Sequence, residues 1–200
     1  MQKPLHLIYI TGLGDHNVDN QRRAVDTWRW YGVESEVFQV LWADREPWQP
    51  KFDRLLARID DLNAQGKDVG LVGVSAGATA VINAYAARKG VLVGVVLIAG
   101  KVNRPAAIGG RFRSDNPAFI TSALNCQDAL VTLTAEDRRR ILSRFGIIDE
   151  VVPFKDSIIT GARNRVSLTI GHTPTIGLQI SFGAWSFIHF LKRQAAARAE

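Results

Sequence analysis

The sequence holds one cysteine, one methionine and four histidines in 200 residues, and it lacks any long apolar run. A lone thiol, Cys126, excludes an internal disulfide and fits a reducing compartment. The longest apolar stretches, such as "VLVGVVLIAG" (91–100), reach about half of the roughly 20 residues that a spanning helix needs. No membrane span is therefore expected. The opening "MQKPLHLIYITGLG" carries one early lysine, a proline and a short apolar run, which makes a poor signal peptide. A cytoplasmic location is the expectation. Internal repeats, low-complexity tracts, Gly/Ser linkers and zinc-ligand spacings are missing as well.

What is present is ordinary for a globular chain, with 46% hydrophobic and 22% charged residues. That suits one domain over 1–200, large enough to bury a sizeable core. The net charge is +6 and the pI near 9.8, which raises the question of an anionic partner. The basic residues are scattered, however, from Arg22 and Arg23 through Arg138–Arg140 to Lys192 and Arg193, with no aromatic-plus-basic signature. Specific nucleic-acid binding is not expected.

The chain alternates between two kinds of pattern. Short apolar runs at 5–10, 33–40, 68–74, 91–100, 139–146 and 165–170 read as strands. Helical spacing marks 18–31, 48–66, 76–88, 117–134 and 174–195, with 101–116 as a loop. Strands that are apolar throughout, separated by helices, belong to a parallel sheet covered on both faces. The expected fold is α/β: a three-layer α/β/α sandwich around a mostly parallel sheet of about six strands. Function in such sheets collects at the carboxyl ends of the strands.

One such end reads "LVGVSAGATAV", with Ser75 between Gly73 and Gly77. A serine hydroxyl becomes a nucleophile only when a base takes its proton and the backbone presents its oxygen. A sharp strand-to-helix turn does the presenting, and its crowding calls for glycine on both sides. The following helix adds amides and a positive dipole end useful against an oxyanion. By itself the five-residue pattern also fits a glycine-bracketed helix cap.

Partners should follow the serine, acid first and base second. His6 falls in a strand and His189 in a helix, while His16 precedes Ser75. His172, in "TIGHTPT" just past the last apolar strand, is the candidate base. "FGIIDEVVP" (145–153) offers Asp149 as the acid that fixes the imidazole tautomer. Glu150 beside it is expected to point elsewhere, and Asp156 is the reserve.

At these stations the chain resembles the α/β-hydrolase family over nearly its whole length: a first strand with a Gly-rich turn, "GVSAG", the acid loop, and "GH" before the last helix. The resemblance implies a serine hydrolase acting on a small-molecule acyl ester or thioester without a cofactor or metal. Ser75 is then the nucleophile, Asp149 the acid and His172 the base, with the backbone amides of Leu13 and Ala76 as the oxyanion hole. Gly12, His16 and Trp42 are expected near the substrate, and Trp42 and Trp48 are candidates to line an acyl pocket. Thr11 stands where many members have histidine. The family's antiparallel leading strands are expected to be missing, as is a large lid, which favours a small open esterase over an interfacial lipase.

Two other readings remain. "YITGLGDHN" supplies two positions of a dinucleotide loop in Gly12 and Gly14, with Asn17 where the third glycine belongs. A hydrolase-shaped binding protein without catalysis is the other.

Overall fold

The computed structural model describes residues 3–199. Six strands, β1 (Leu5–Ile10), β2 (Glu34–Phe38), β3 (Asp68–Val74), β4 (Leu92–Ile98), β5 (Ile141–Ile148) and β6 (Arg163–Ile170), form one sheet in the order β2-β1-β3-β4-β5-β6. Every pairing is parallel. The helices are α1 (Asp19–Asp26), α2 (Trp48–Ala64), α3 (Gly77–Arg88), α4 (Gly110–Asp115), α5 (Pro117–Thr132), α6 (Ala135–Arg139), α7 (Phe154–Ser157), α8 (His172–Ile180) and α9 (Ala184–Ala199). None of the described helices is long and apolar enough to cross a membrane.

The side-chain alternation of a strand sorts the core into two layers. From β1, Ile8 and Ile10 join Leu55, Ile59, Val81 and Phe119 on the side covered by α2, α3 and α5. Leu7 and Tyr9 join Val25, Phe187 and Leu191 on the side covered by α1 and α9. Both faces of β3 and β4 are thus buried, which is why those strands read as unbroken apolar runs.

Two helices expected to be continuous are broken. The 18–31 segment is α-helical only to Asp26 and then tightens into a 3-10 turn, Thr27–Tyr31, closed by Gly32 at φ 66°. The turn lets Trp28 enter the core, where its indole N–H donates to the Ile180 carbonyl at 2.8 Å and its ring meets Phe187 edge-on. The 174–195 segment is two helices, α8 and α9, separated at Ser181–Gly183. A Cβ on Gly183 would lie 2.9 Å from the Gln179 backbone, so the close re-entry of the chain demands glycine there. The 101–116 loop holds a short 3-10 turn, Pro105–Ala107, and α4.

The direction of winding reverses at β1: β2 lies on one side of it and β3 on the other. Loops leaving β1 and β3 therefore part at their carboxyl ends and open a crevice between them. The "TGLG" turn and Ser75 border that crevice.

Candidate active site

Ser75 follows β3 directly and sits at φ 50°, in the left-handed region that a serine enters at a cost of about 1–3 kcal/mol. Three main-chain bonds hold it there. Its N–H donates to the Ile98 carbonyl at 3.0 Å, and its carbonyl accepts from the Ala78 and Lys101 amides, each at 3.2 Å. The flanking glycines are required by space. A Cβ on Gly73 would meet Val81 Cγ2 at 2.5 Å, and one on Gly77 would meet the Ile10 and Thr11 carbonyl oxygens at 2.5 and 2.6 Å.

His172 is the first residue of α8, after Gly171 at φ 91°. Its Nε2 lies 3.0 Å from Ser75 Oγ and its Nδ1 lies 2.8 Å from Asp149 Oδ2. A proton on Nδ1 donated to Asp149 leaves Nε2 free to accept from the serine hydroxyl. Asp149 Oδ1 in turn accepts the amides of Val151 and Val152 at 2.9 and 2.7 Å, and its side chain is 1% exposed. Ser75, His172 and Asp149, 97 and 23 residues apart, thus form one hydrogen-bonded line.

Glu150, expected to point away, turns to His172 instead. Both of its carboxylate oxygens accept the His172 main-chain N–H at 3.2 Å. A carboxylate at the first turn of α8 also complements the helix dipole. Asp156, the reserve acid, is buried and takes the Lys101 ammonium at 2.6 Å and the Arg104 Nε at 2.5 Å. It has no bond to the imidazole among the described residues.

The turn after β1 is braced by Asp15, which closes "TGLGD" and which no local motif singles out. Asp15 is buried, accepts the Thr11 hydroxyl at 2.8 Å, and also accepts the Leu41 and Trp42 amides at 2.7 and 3.3 Å. Thr11 therefore does local packing work through Asp15. Among the hydrogen bonds of the described residues, none is made by the backbone amides of Leu13 or Ala76.

Two hollows meet at Ser75. One of about 510 Å³ is lined by Gly12, Asn20, Gln21, Ser75, His172 and Thr173, among others. The other, of about 370 Å³, is lined on the far side by Ala76, Lys101, Arg104, Ile108 and Phe119. Leu13 and Ser75 border both. Trp42 and Trp48 line neither hollow. Trp42 is fully buried, stacks on Trp48 at 5.7 Å and donates its indole N–H to the Thr11 carbonyl at 3.1 Å. Its place is behind the wall, edge-on to Phe119. His16 is exposed and lines neither hollow.

No protein-family model and no curated protein matches the chain. Solved structures do. One is reported for LipS and LipT, two metagenome-derived lipolytic enzymes, at TM-score 0.73 and 10% identity over 96% of this chain and 95% of that one. A carboxylesterase structure from the thaumarchaeon Nitrososphaera gargenis gives 0.70 and 12%, covering 98% and 92%. Est1E from Butyrivibrio proteoclasticus gives 0.68 and 14%, covering 98% and 90%. With a six-stranded parallel sheet between two helix layers, the chain has the α/β-hydrolase fold.

Proposed function

We propose that this protein is a serine hydrolase that cleaves a carboxylic ester or thioester through an acyl-enzyme. The observation that carries the reading is the unbroken line from Ser75 Oγ to His172 to Asp149, at 3.0 and 2.8 Å. Ser75 Oγ attacks the substrate carbonyl carbon as its proton passes to His172 Nε2. The carbonyl oxygen takes up the negative charge and is received by the Leu13 and Ala76 amides. The carbon–oxygen or carbon–sulfur bond then breaks while the imidazolium returns the proton to the departing alcohol or thiol. Water repeats the sequence: His172 takes its proton, the hydroxide adds to the acyl group, and the bond to Ser75 breaks as Oγ regains a proton. Asp149 holds the ring with Nδ1 protonated throughout and stabilises the imidazolium.

The two hollows divide the substrate. His172 must reach the leaving group to protonate it, and His172 lines the larger hollow. The alcohol or thiol portion belongs there, and the acyl portion in the hollow behind Ala76. Lys101, Arg104 and Ala107–Gly109 supply part of that second wall, and the 3-10 turn and six-residue α4 of this segment are too little for a large lid. Activity on small dissolved esters is expected, without a requirement for an oil surface.

A fluorophosphonate probe tests the reading against that of a non-catalytic binder. Labelling of the wild-type protein that disappears in Ser75→Ala supports the hydrolase. A folded wild-type protein that takes no label contradicts it.

A further inference from the structure

The hollow assigned to the acyl group carries two cations and two carboxylates, and nothing in the hydrolytic scheme uses the cations. Lys101 and Arg104 both line it, as do Asp156 and Glu150. Both carboxylates are already engaged. Asp156, with a side chain 1% exposed, receives Lys101 Nζ on one oxygen and Arg104 Nε on the other. Glu150 is occupied by the His172 amide. One buried carboxylate thus serves two cations, and the Arg104 side chain, which also lines the hollow, stays half exposed. Its Nη atoms make no hydrogen bond among the described residues.

The backbone at Arg104 is strained to achieve this. Its φ and ψ are 50° and 58°, a left-handed conformation rare for a side-chain-bearing residue. Pro105 follows, and a residue before proline favours an extended backbone. Strain of this kind persists where the surrounding bonds over-determine it, and it clusters at ligand-binding positions. Here the surrounding bonds include Arg104 Nε to Asp156, the Ala107 amide to the Arg104 carbonyl at 2.9 Å, and the Asn103 amide to the Asp156 carbonyl at 3.1 Å. Ile108, Phe119 and Val151 give the rest of the hollow apolar walls.

We propose that Arg104 is a specificity-determining residue that receives a carboxylate at the far end of the substrate's acyl chain, making hemiesters or hemithioesters of aliphatic dicarboxylic acids the favoured substrate class. The proposal rests on the hydrolase reading and on the acyl group lying in this hollow. The apolar walls take the methylenes, and the planar guanidinium offers its free fork to the terminal carboxylate.

The test compares p-nitrophenyl hemiadipate with p-nitrophenyl hexanoate, which have acyl chains of equal length and differ in the terminal charge. The expected wild-type ratio of kcat/KM, hemiadipate over hexanoate, exceeds one and falls as salt is added. Arg104→Gln should lower that ratio roughly tenfold or more, as loss of a charge-assisted pair does, and Arg104→Lys should retain part of it. A wild-type preference for hexanoate, or a ratio unmoved by Arg104→Gln, overturns the proposal while leaving the hydrolase standing. Failure to turn over either ester, with Ser75 unlabelled by a fluorophosphonate, overturns both.

Discussion

Glu150 grips the main chain of His172, both carboxylate oxygens resting 3.2 Å from the histidine N–H, while the neighbouring Asp149 holds the imidazole at 2.8 Å. Two consecutive carboxylates thereby fix the backbone and the ring of the same residue. The loop after β5 acts as a two-point clamp on the start of α8.

On the proposed hydrolase reading, this clamp makes Glu150 a positioning residue. Glu150→Ala should lower kcat by roughly tenfold with little change in KM, since a small misplacement of a general base is costly. The loss of a carboxylate from the first turn of α8 should cost about 0.3–1 kcal/mol. Glu150→Gln, which keeps an acceptor, should restore most of kcat. Steady-state kinetics on a p-nitrophenyl ester checks all three, and equal damage in Gln and Ala would point to the charge alone.

Asp149→Asn should reduce kcat on the order of 10⁴-fold, because an amide can leave the imidazole in the wrong tautomer. Asp156→Asn should act differently. It leaves Lys101, whose side chain is 10% exposed, with a neutral partner, so stability is the property it lowers most. Thermal denaturation beside kinetics on both variants separates the two carboxylates. Activity retained in Asp149→Asn and abolished in folded Asp156→Asn would move the acid to position 156.

The left-handed backbone at Ser75 sets activity against stability. Ser75→Gly and Ser75→Ala should both abolish turnover. Glycine, however, occupies φ 50° without penalty, so Ser75→Gly should be more stable than Ser75→Ala by about 1 kcal/mol. Urea denaturation of the two variants measures the difference. Equal midpoints would indicate that the turn relaxes away from the observed conformation.

In the middle of the edge strand β2, Glu36 supports the fold against acid. Burial works to raise its pKa, but the Arg58 guanidinium at 2.7 Å and His6 outweigh that and hold it down at about 2, against an ordinary 4.5. A carboxyl whose folded pKa is depressed adds stability above its unfolded value and loses it as pH falls through its folded value. The contribution is complete above about pH 4.5 and fades toward pH 2. Glu36→Gln should flatten that part of the stability–pH curve, which acid titration at fixed urea would show.

Much of this architecture is legible in local patterns. The apolar runs of β3 and β4 mark a sheet buried on both sides, and the glycines around Ser75 announce a crowded turn. His172 and Asp149 stand out because each lies within two residues of a strand's carboxyl end, where the fold gathers its loops. What is not legible depends on tertiary contact. Trp28 breaks its helix to reach Phe187 and Ile180, and Gly183 breaks another against Gln179. Trp42 looks like a pocket residue by position, yet its indole is spent on the Thr11 carbonyl. Asp15 and Glu150 bond to backbone amides far away in sequence, and no local spacing encodes such partners.

The most direct measurement is rapid quenching of the wild-type enzyme with p-nitrophenyl acetate, followed by mass mapping of the acetylated peptide. A transient acetyl group is expected on Ser75, formed more slowly by roughly a hundredfold or more when His172 is replaced by alanine. Ester turnover that continues in Ser75→Ala, or an acetyl group that maps to another residue on the productive path, would contradict that expectation.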